Sequence, residues 1–443
     1  MRVERLSEQD LARLSGPAGA AAHVRALVPD GDSVAARVRE IIARVRAEGD
    51  AAVLDYTRRF DTAGNEPRPL RVAGEELDEA IKQLPLELIA GLQVAIVNVA
   101  LVADAGVHGD TAVELPQGQR IVLREVPVSS AAVYVPGGRA AYPSTVVMGV
   151  VTARSAGVVD VAVCAPPGPD GQIDPAILGT CRLCGVERVY RMGGAQAVAA
   201  LAYGTEAVER VDVIVGPGNL YVQEAKHQLS ATVGIDGFAG PSDLLVVLGA
   251  DVEAELDGEH APNSLRLAAL DMLAQAEHGE GSLVVATSPS QAVCDALATT
   301  LQALVVERPT VGEAAFAIVE VANAREAIAF ANELAPEHLQ LIGADVEALA
   351  PAVRCAGCLF VGVDSATAFG DYVAGSNHVL PTGGAARFAS TLSPRHFRRT
   401  MSEVRIGRGA GKLAAAGAPI ARAEGFDVHA ESMEARVREN PGS

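Results

Sequence analysis

The sequence predicts an α/β protein made of two Rossmann-like, incomplete, doubly wound α/β domains with small helical segments at both ends. Two observations carry this. From about residue 130 to 230 short apolar runs alternate with helical patterns, as in a parallel sheet covered by helices on both faces. The alternation resumes after Ser242 and closes near Cys358-Leu359-Phe360, which makes a second unit. Composition agrees: of 443 residues 49% are hydrophobic and 21% charged, which excludes a disordered chain.

The elements follow in order. Residues 33–60 read as two helices broken at Gly49-Asp50, with Val34, Val38, Ile41, Ile42 and Val45 at helical spacing, and 73–106 continue the helical pattern. From about 120, IVLREVPVSSAAVYVPGG alternates and is rich in Val and Ile, which suggests strands. VVMGVVTARSAG (helix), VDVAVCAPPG (strand), AILGTCRLCG (helix), VERVYRMGG (strand), AQAVAALAYGTE (helix), VDVIVGPGN (strand) and LYVQEAKHQLSA (helix) complete the first unit. LLVVLG, LAALDMLAQAEHG, SLVVATS, LATTLQALVVE, AFAIVEVAN and CLFVGVD build the second. The tail from about 382 reads as loop and helix. The acidic stretch 250–266, ADVEAELDGEHAPNSLR, is longer than the connection needs and reads as a surface insertion, with His260 a solvated loop residue.

Charge and targeting narrow the function. A net charge of −19 repels phosphate backbones and anionic lipid, which argues against nucleic acid and membrane partners and suits a small cation or a metal. The start, MRVERLSEQDLARL, is an amphipathic helical pattern without the apolar stretch of a signal peptide. The most apolar stretch, AGLQVAIVNVALVADAGV, is interrupted by Gln93, Asn98 and Asp104. A soluble, cytoplasmic protein is expected. Six cysteines are too few for a disulfide scaffold. The pairs Cys181/Cys184 and Cys355/Cys358 read as helix-end and strand-start residues rather than zinc knuckles. Gly409-Ala410-Gly411-Lys412-Leu413-Ala414 fits a relaxed dinucleotide pattern without a preceding strand and reads as chance. Gly-rich turns do follow several expected strands, at Pro136-Gly137-Gly138, Gly193-Gly194 and Gly216-Pro217-Gly218-Asn219, where open α/β sheets bind ligands.

Four places carry chemistry. Gln275 and His278 lie three apart on one helical face, so an amide oxygen and an imidazole can converge on one ion; the competing reading is a plain helix end. Glu337 and His338, in NELAPEHLQ, are adjacent groups able to serve as two bases in one site. The competing reading is a helix start opened by Pro336. Residues 370–382, GDYVAGSNHVLPT, pack a carboxylate, an imidazole, an amide and flexible glycines into a loop after an expected strand. The tail adds Glu424 and His429, five apart.

GGAQAVAALAYGTE, VDVIVGPGN, AGPSD, AQAEHG, NELAPEHL, GDYVAGSNHVLPT and AEGFDVHA, in this order, resemble the histidinol dehydrogenase family over about residues 33–430. The resemblance implies zinc-dependent oxidation of L-histidinol to L-histidine through L-histidinaldehyde with two NAD, in histidine biosynthesis. It assigns zinc ligands to Gln275, His278, Asp371 and His429, one zinc per subunit. It assigns the hydroxyl-proton base to His338 and water activation to Glu337. Substrate contacts fall on Ser242, Gln275, His278, His338, Asp371, His378, Glu424 and His429, and NAD contacts on Tyr134, Gln196 and Asn219. It also implies a homodimer in which the tail, with Glu424 and His429, completes the other chain's site. The motif map divides the chain into an N-terminal helical segment (1–27), a first α/β domain with the metal and catalytic residues (28–133 plus 243–381), a second α/β domain with the NAD contacts (134–242) and a helical tail (382–443). Two rivals remain: a paralogue oxidising another polyol such as a sulfonated diol, and a non-catalytic α/β module holding a small ligand between two lobes.

Overall fold

The computed structural model describes residues 3–28, 33–137, 140–237, 242–256, 263–279 and 281–437. In chain order the strands are β1 (Val3–Leu6), β2 (Thr111–Glu114), β3 (Arg120–Pro127), β4 (Ser130–Tyr134), β5 (Asp160–Ala165), β6 (Arg188–Arg191), β7 (Val213–Val215), β8 (Gly234–Ile235), β9 (Asp243–Leu248), β10 (Leu283–Ser288), β11 (Ala315–Glu320), β12 (His338–Ile342), β13 (Cys358–Val361) and β14 (Arg398–Arg405).

Two sheets are wholly parallel. One runs β6-β5-β4-β7-β8 and the other β1-β11-β10-β9-β12-β13. Alternation along β4 explains the layering. Val133 points into a core shared with helices Pro143–Ser155 and Pro175–Leu183, whereas Ala132 and Tyr134 point into a core with helices Ala35–Glu48, Asp50–Phe60 and Gly194–Tyr203. Along β9, Leu245 and Val247 face helices Pro17–Arg25 and Ala324–Leu334, while Leu244 and Val246 face Asn263–Ala276 and Gln291–Val305. Each sheet is therefore buried on both faces, which is why its strands read as continuous apolar runs. The strand order reverses at β4/β7 in one sheet and at β9/β12 in the other, as in doubly wound folds.

Several expectations are corrected. The first residues do not begin a helix: Val3–Leu6 pairs with β11 as an edge strand, and helices start only at Glu8 and Pro17. Pro336-Glu337-His338 opens a strand, β12, rather than a helix, because the segment fills the parallel slot between β9 and β13. The tail contains β14, which pairs antiparallel with β3 in a third sheet, β14-β3-β2. Residues 35–105, grouped in sequence with the first domain, pack elsewhere: Ala35–Glu48 lies on Gly194–Tyr203, and Gly74–Gln83 lies on Pro175–Leu183. Their apolar stripes match the helices of the five-stranded sheet, information a single helical pattern does not contain. Within the acidic stretch, Ala250–Glu255 forms a helical turn with Val252 buried, and Ser290 Oγ donates to Glu253 Oε2 at 2.7 Å. Residues 257–262, including His260, lie outside the described residues, as do Gly138, Gly240 and Pro241.

A buried ion pair fixes the turn after β7. Lys226 Nζ, 1% exposed, donates to Gly216 O at 2.7 Å and to Asp236 Oδ1, while Gly216 N donates to Asp236 Oδ2 at 2.6 Å. Gly216 has φ +114°, and a Cβ there would lie 2.1 Å from Tyr134 O, so the close approach to β4 requires glycine. Replacing Lys226 by Met leaves Asp236 buried and unpaired and is expected to cost about 3 kcal/mol. Adding Asp236→Leu should return most of it. Urea denaturation midpoints check both, and an unchanged midpoint for Lys226→Met contradicts the assignment.

Candidate active site

The amino ends of β9 and β12 meet in a reciprocal clasp. Glu337 N donates to Asp243 Oδ1 at 2.6 Å, and Asp243 N donates to Glu337 Oε2 at 3.0 Å. The register that aligns His338 with Leu244 puts the two acidic residues side by side. Asp243 is compensated through its other oxygen, which accepts from Arg25 Nη1 at 2.5 Å and from Gly383 N at 3.1 Å. Ser242 Oγ donates to Glu337 Oε2 at 2.5 Å, and the Gln275 amide donates in turn to Ser242 Oγ.

His338 sits beside this clasp, buried, its ring stacked on Phe360 at 6.0 Å between centroids. Its Nε2 lies 3.3 Å from Asp371 Oδ1 and its Nδ1 lies 3.8 Å from Glu337 Oε2. His378 Nδ1 lies 2.9 Å from Asp371 O and its Nε2 3.2 Å from Thr145 Oγ1 on the helix Pro143–Ser155. Burial pushes the Glu337 carboxyl well above the usual carboxylate range. Burial alone would also strip the charge from His338, but Glu337 and Asp371 outweigh it and raise its proton affinity. For Asp371, burial is outweighed by His338, with His378 and His278 adding, so it stays ionised below its ordinary range. Burial lowers His378.

Six expected site residues thus gather in two hydrogen-bonded groups, Ser242, Gln275 and Glu337 in one and His338, Asp371 and His378 in the other, which meet at the 3.8 Å approach of His338 Nδ1 to Glu337 Oε2. His278 is exposed in the turn after the helix Asn263–Ala276 and adds to the field at Asp371. Its Nδ1 lies 3.1 Å from Gln275 O, which leaves Nε2 open. The Gln275 amide nitrogen is taken by Ser242, which leaves its oxygen open. An imidazole fixed through one nitrogen by a carbonyl is the arrangement a metal-ligating histidine needs, and oxygen and nitrogen donors suit zinc. Among the described residues no three His, Cys, Asp or Glu side chains form a cage for a metal. Glu424 and His429 do not join the cluster: both are exposed on the tail, where His429 packs on Phe426.

Tyr134, Gln196 and Asn219 line a cleft of about 1180 Å³ at the carboxyl ends of β4 to β7. Tyr134 Oη accepts from Gly194 N at 3.0 Å, and Asn219 Oδ1 caps the helix Leu220–Leu229 through Tyr221 N and Val222 N. Gln196 Nε2 is buried without a partner. The sequence reading missed Asp243, although it directly follows Ser242 in AGPSD, and it missed Arg25 and Thr145. Only the strand register and helix packing bring those three to the site.

The histidinol dehydrogenase family model matches residues 27–437. The chain belongs to the histidinol dehydrogenase family. It is 41% identical to the histidinol dehydrogenase of Gluconobacter oxydans over 418 residues, 93% of this chain and 94% of the relative. It is 41% identical to that of Pseudomonas aeruginosa, with 92% and 91% covered. The crystal structure of histidinol dehydrogenase from Elizabethkingia anophelis superposes with a TM-score of 0.88 at 28% identity, covering 98% of both chains. Family membership makes the chain a dehydrogenase, that is, an oxidoreductase.

A second buried carboxylate ties the helix bearing Gln275 to the strand bearing His338. Gln340 Nε2 donates to Asp271 Oδ2 at 2.8 Å, and burial pushes Asp271 up to about 6. A raised carboxyl binds its proton more tightly folded than unfolded. Its contribution is complete at acid pH and is lost as pH rises from about 4 through 6. Asp271→Asn should therefore stabilise the protein by about 1–2 kcal/mol at pH 8 and by almost nothing at pH 4. Denaturation midpoints at the two pH values check this.

Proposed function

We propose that the protein oxidises L-histidinol to L-histidine through L-histidinaldehyde, using two NAD and one zinc per subunit, in histidine biosynthesis. The observation that carries this is the pair of adjacent, buried groups Glu337 and His338 at the amino end of β12, beside the start of β9. Two successive oxidations at one carbon need an alcohol-like group each time, so one base must serve the hydroxyl and another must serve water. When bound, zinc held by Gln275, His278, Asp371 and a partner chain's tail histidine would anchor the substrate's imidazole and amine, and NAD would accept the hydrides.

His338 takes the hydroxyl proton as hydride leaves the carbinol carbon, and Asp371 holds the imidazolium that results. Glu337, with its proton affinity raised by burial, takes a proton from the water that adds to the aldehyde. The hydrate is then oxidised as the alcohol was, with His338 again removing a hydroxyl proton. Ser242 and Gln275 keep Glu337 oriented. His378 lies against Asp371 as a substrate contact, and Glu424 would face the cationic amine. Tyr134, Gln196 and Asn219 serve as the NAD contacts.

The protein acts as a soluble cytoplasmic homodimer with shared sites. The helix Leu86–Ala105 is, among the described residues, long and apolar enough to cross a membrane. Leu92, Ala95, Val99 and Ala103 on it are buried, while Val94, Val97, Leu101 and Val102 are more than half exposed. Asn98 Nδ2 on this helix donates to Val373 O at 2.7 Å, two residues from Asp371. A partner subunit covering this face therefore arrives beside the proposed metal site. Exposed Ile420, Phe426 and Val428 give the tail an apolar face of its own. This supports a tail crossing that brings in His429 and Glu424.

The experiment is NADH yield on limiting histidinol with zinc-loaded protein. Two NADH per histidinol are expected; one implies a simple alcohol oxidation, and none restores the binding module. Assayed on each half-reaction, Glu337→Gln should slow the aldehyde half at least about tenfold more than the alcohol half, and His338→Asn should slow both by about 100-fold or more. Equal damage to both halves from Glu337→Gln contradicts the division of roles.

A further inference from the structure

Gln340 lies two residues after His338 on β12, so the two side chains share one face of the sheet. Its neighbours on the strand, Leu339, Leu341 and Ile342, are buried and apolar, and Gln340 is buried with them. Both hydrogens of its amide are used. Nε2 donates to Asp271 Oδ2 at 2.8 Å and to Ser365 O at 3.2 Å, while Oε1 is buried without a partner among the described residues. A buried amide with an unpaired oxygen costs stability that two apolar side chains in place of Gln340 and Asp271 would not. Packing alone therefore does not account for this glutamine.

The two bonds reach the elements that carry three of the expected metal ligands. Asp271 stands one helical turn before Gln275 on the helix Asn263–Ala276, and His278 follows in the turn after it. Ser365 is itself anchored, its Oγ donating to Val361 O at 2.6 Å, and the helix Thr367–Tyr372 with Asp371 begins two residues later. One planar group thus joins the helix bearing Gln275, the strand bearing His338 and the segment leading to Asp371. An amide with both hydrogens bound fixes two distances and the angle between them. Ligands drawn from separate elements need such a fixture, since they must converge to within about 0.2 Å of their bonding distances.

We propose that Gln340 is a positioning residue for the metal site: its amide sets the spacing between the helix that presents Gln275 and His278 and the segment that presents Asp371. The assignment rests on the zinc reading above. Gln340 acts through Asp271 and Ser365, neither of which is an expected ligand, so its effect on the metal is one of geometry.

The test measures zinc affinity of the full-length protein by competition with a chromogenic chelator, beside the denaturation midpoint of each variant. Gln340→Leu should weaken zinc binding about tenfold or more. It should also lower the midpoint, because Asp271 is left buried and unpaired. Gln340→Leu combined with Asp271→Leu removes both polar partners and carries the test even where the single change does not fold. Its midpoint should return toward that of the wild type, while zinc binding stays weakened about tenfold or more. Asp271→Asn keeps an acceptor for the amide and removes the charge, so its zinc affinity should match the wild type. A double variant that binds zinc as tightly as the wild type reduces Gln340 to a packing residue and overturns the assignment. An Asp271→Asn protein that loses as much zinc affinity as the double variant overturns it too, because the effect then belongs to charge. A wild type that binds no zinc overturns the zinc reading itself, and this assignment with it.

Discussion

Two backbone amides and two carboxylates exchange hydrogen bonds where β9 and β12 begin, and the site is assembled around that exchange. Asp243 receives Glu337 N, and Glu337 receives Asp243 N. Two buried carboxylates this close repel each other unless charge is supplied. Arg25 and Gly383 N supply it to Asp243, while Ser242 supplies a hydroxyl to Glu337. The result is asymmetric: Asp243 is paired with an arginine, whereas Glu337 has two neutral donors and the His338 ring, whose charge only partly offsets its burial. A carboxylate in that position holds its proton more tightly than an exposed one, which is what the proposed role as a base requires.

The two parallel sheets divide the labour by opposite ends. In the five-stranded sheet the ligand cleft opens at the carboxyl ends of the strands, the usual place in a doubly wound fold. In the six-stranded sheet the cluster of carboxylates and imidazoles sits at the amino ends, where β9 and β12 begin. The helix Pro143–Ser155 bridges them, since it follows the cleft loop and its Thr145 meets His378. In the proposed function, a cofactor held by one sheet would in this way face the proposed bases on the other.

Local pattern was enough to read the alternation of strands and helices between β4 and β11, because each element carries its own apolar period. It was not enough for β12: Pro336 before Glu337 and His338 fits a helix start equally well, and only the vacant slot between β9 and β13 makes it a strand. β1 and β14 are half-exposed edge strands whose identity depends on partners more than 100 residues away, β11 and β3. At the site, the motif residues Ser242, Gln275, Glu337, His338, Asp371 and His378 were legible. Arg25 and Asp243 were not, because a lone arginine on a helix and an aspartate at a strand start carry no signal until the packing joins them.

The clasp holds Glu337 buried, which raises its proton affinity. The direct measurement is carbon-13 NMR of glutamate-labelled protein loaded with zinc. The carboxyl resonance of Glu337, identified by its loss in Glu337→Gln, is followed from pH 4 to 9. The Glu337 resonance is expected to titrate well above the range of the exposed glutamates in the same spectrum. A Glu337 resonance that titrates with the exposed glutamates, already ionised by about pH 5, would contradict it.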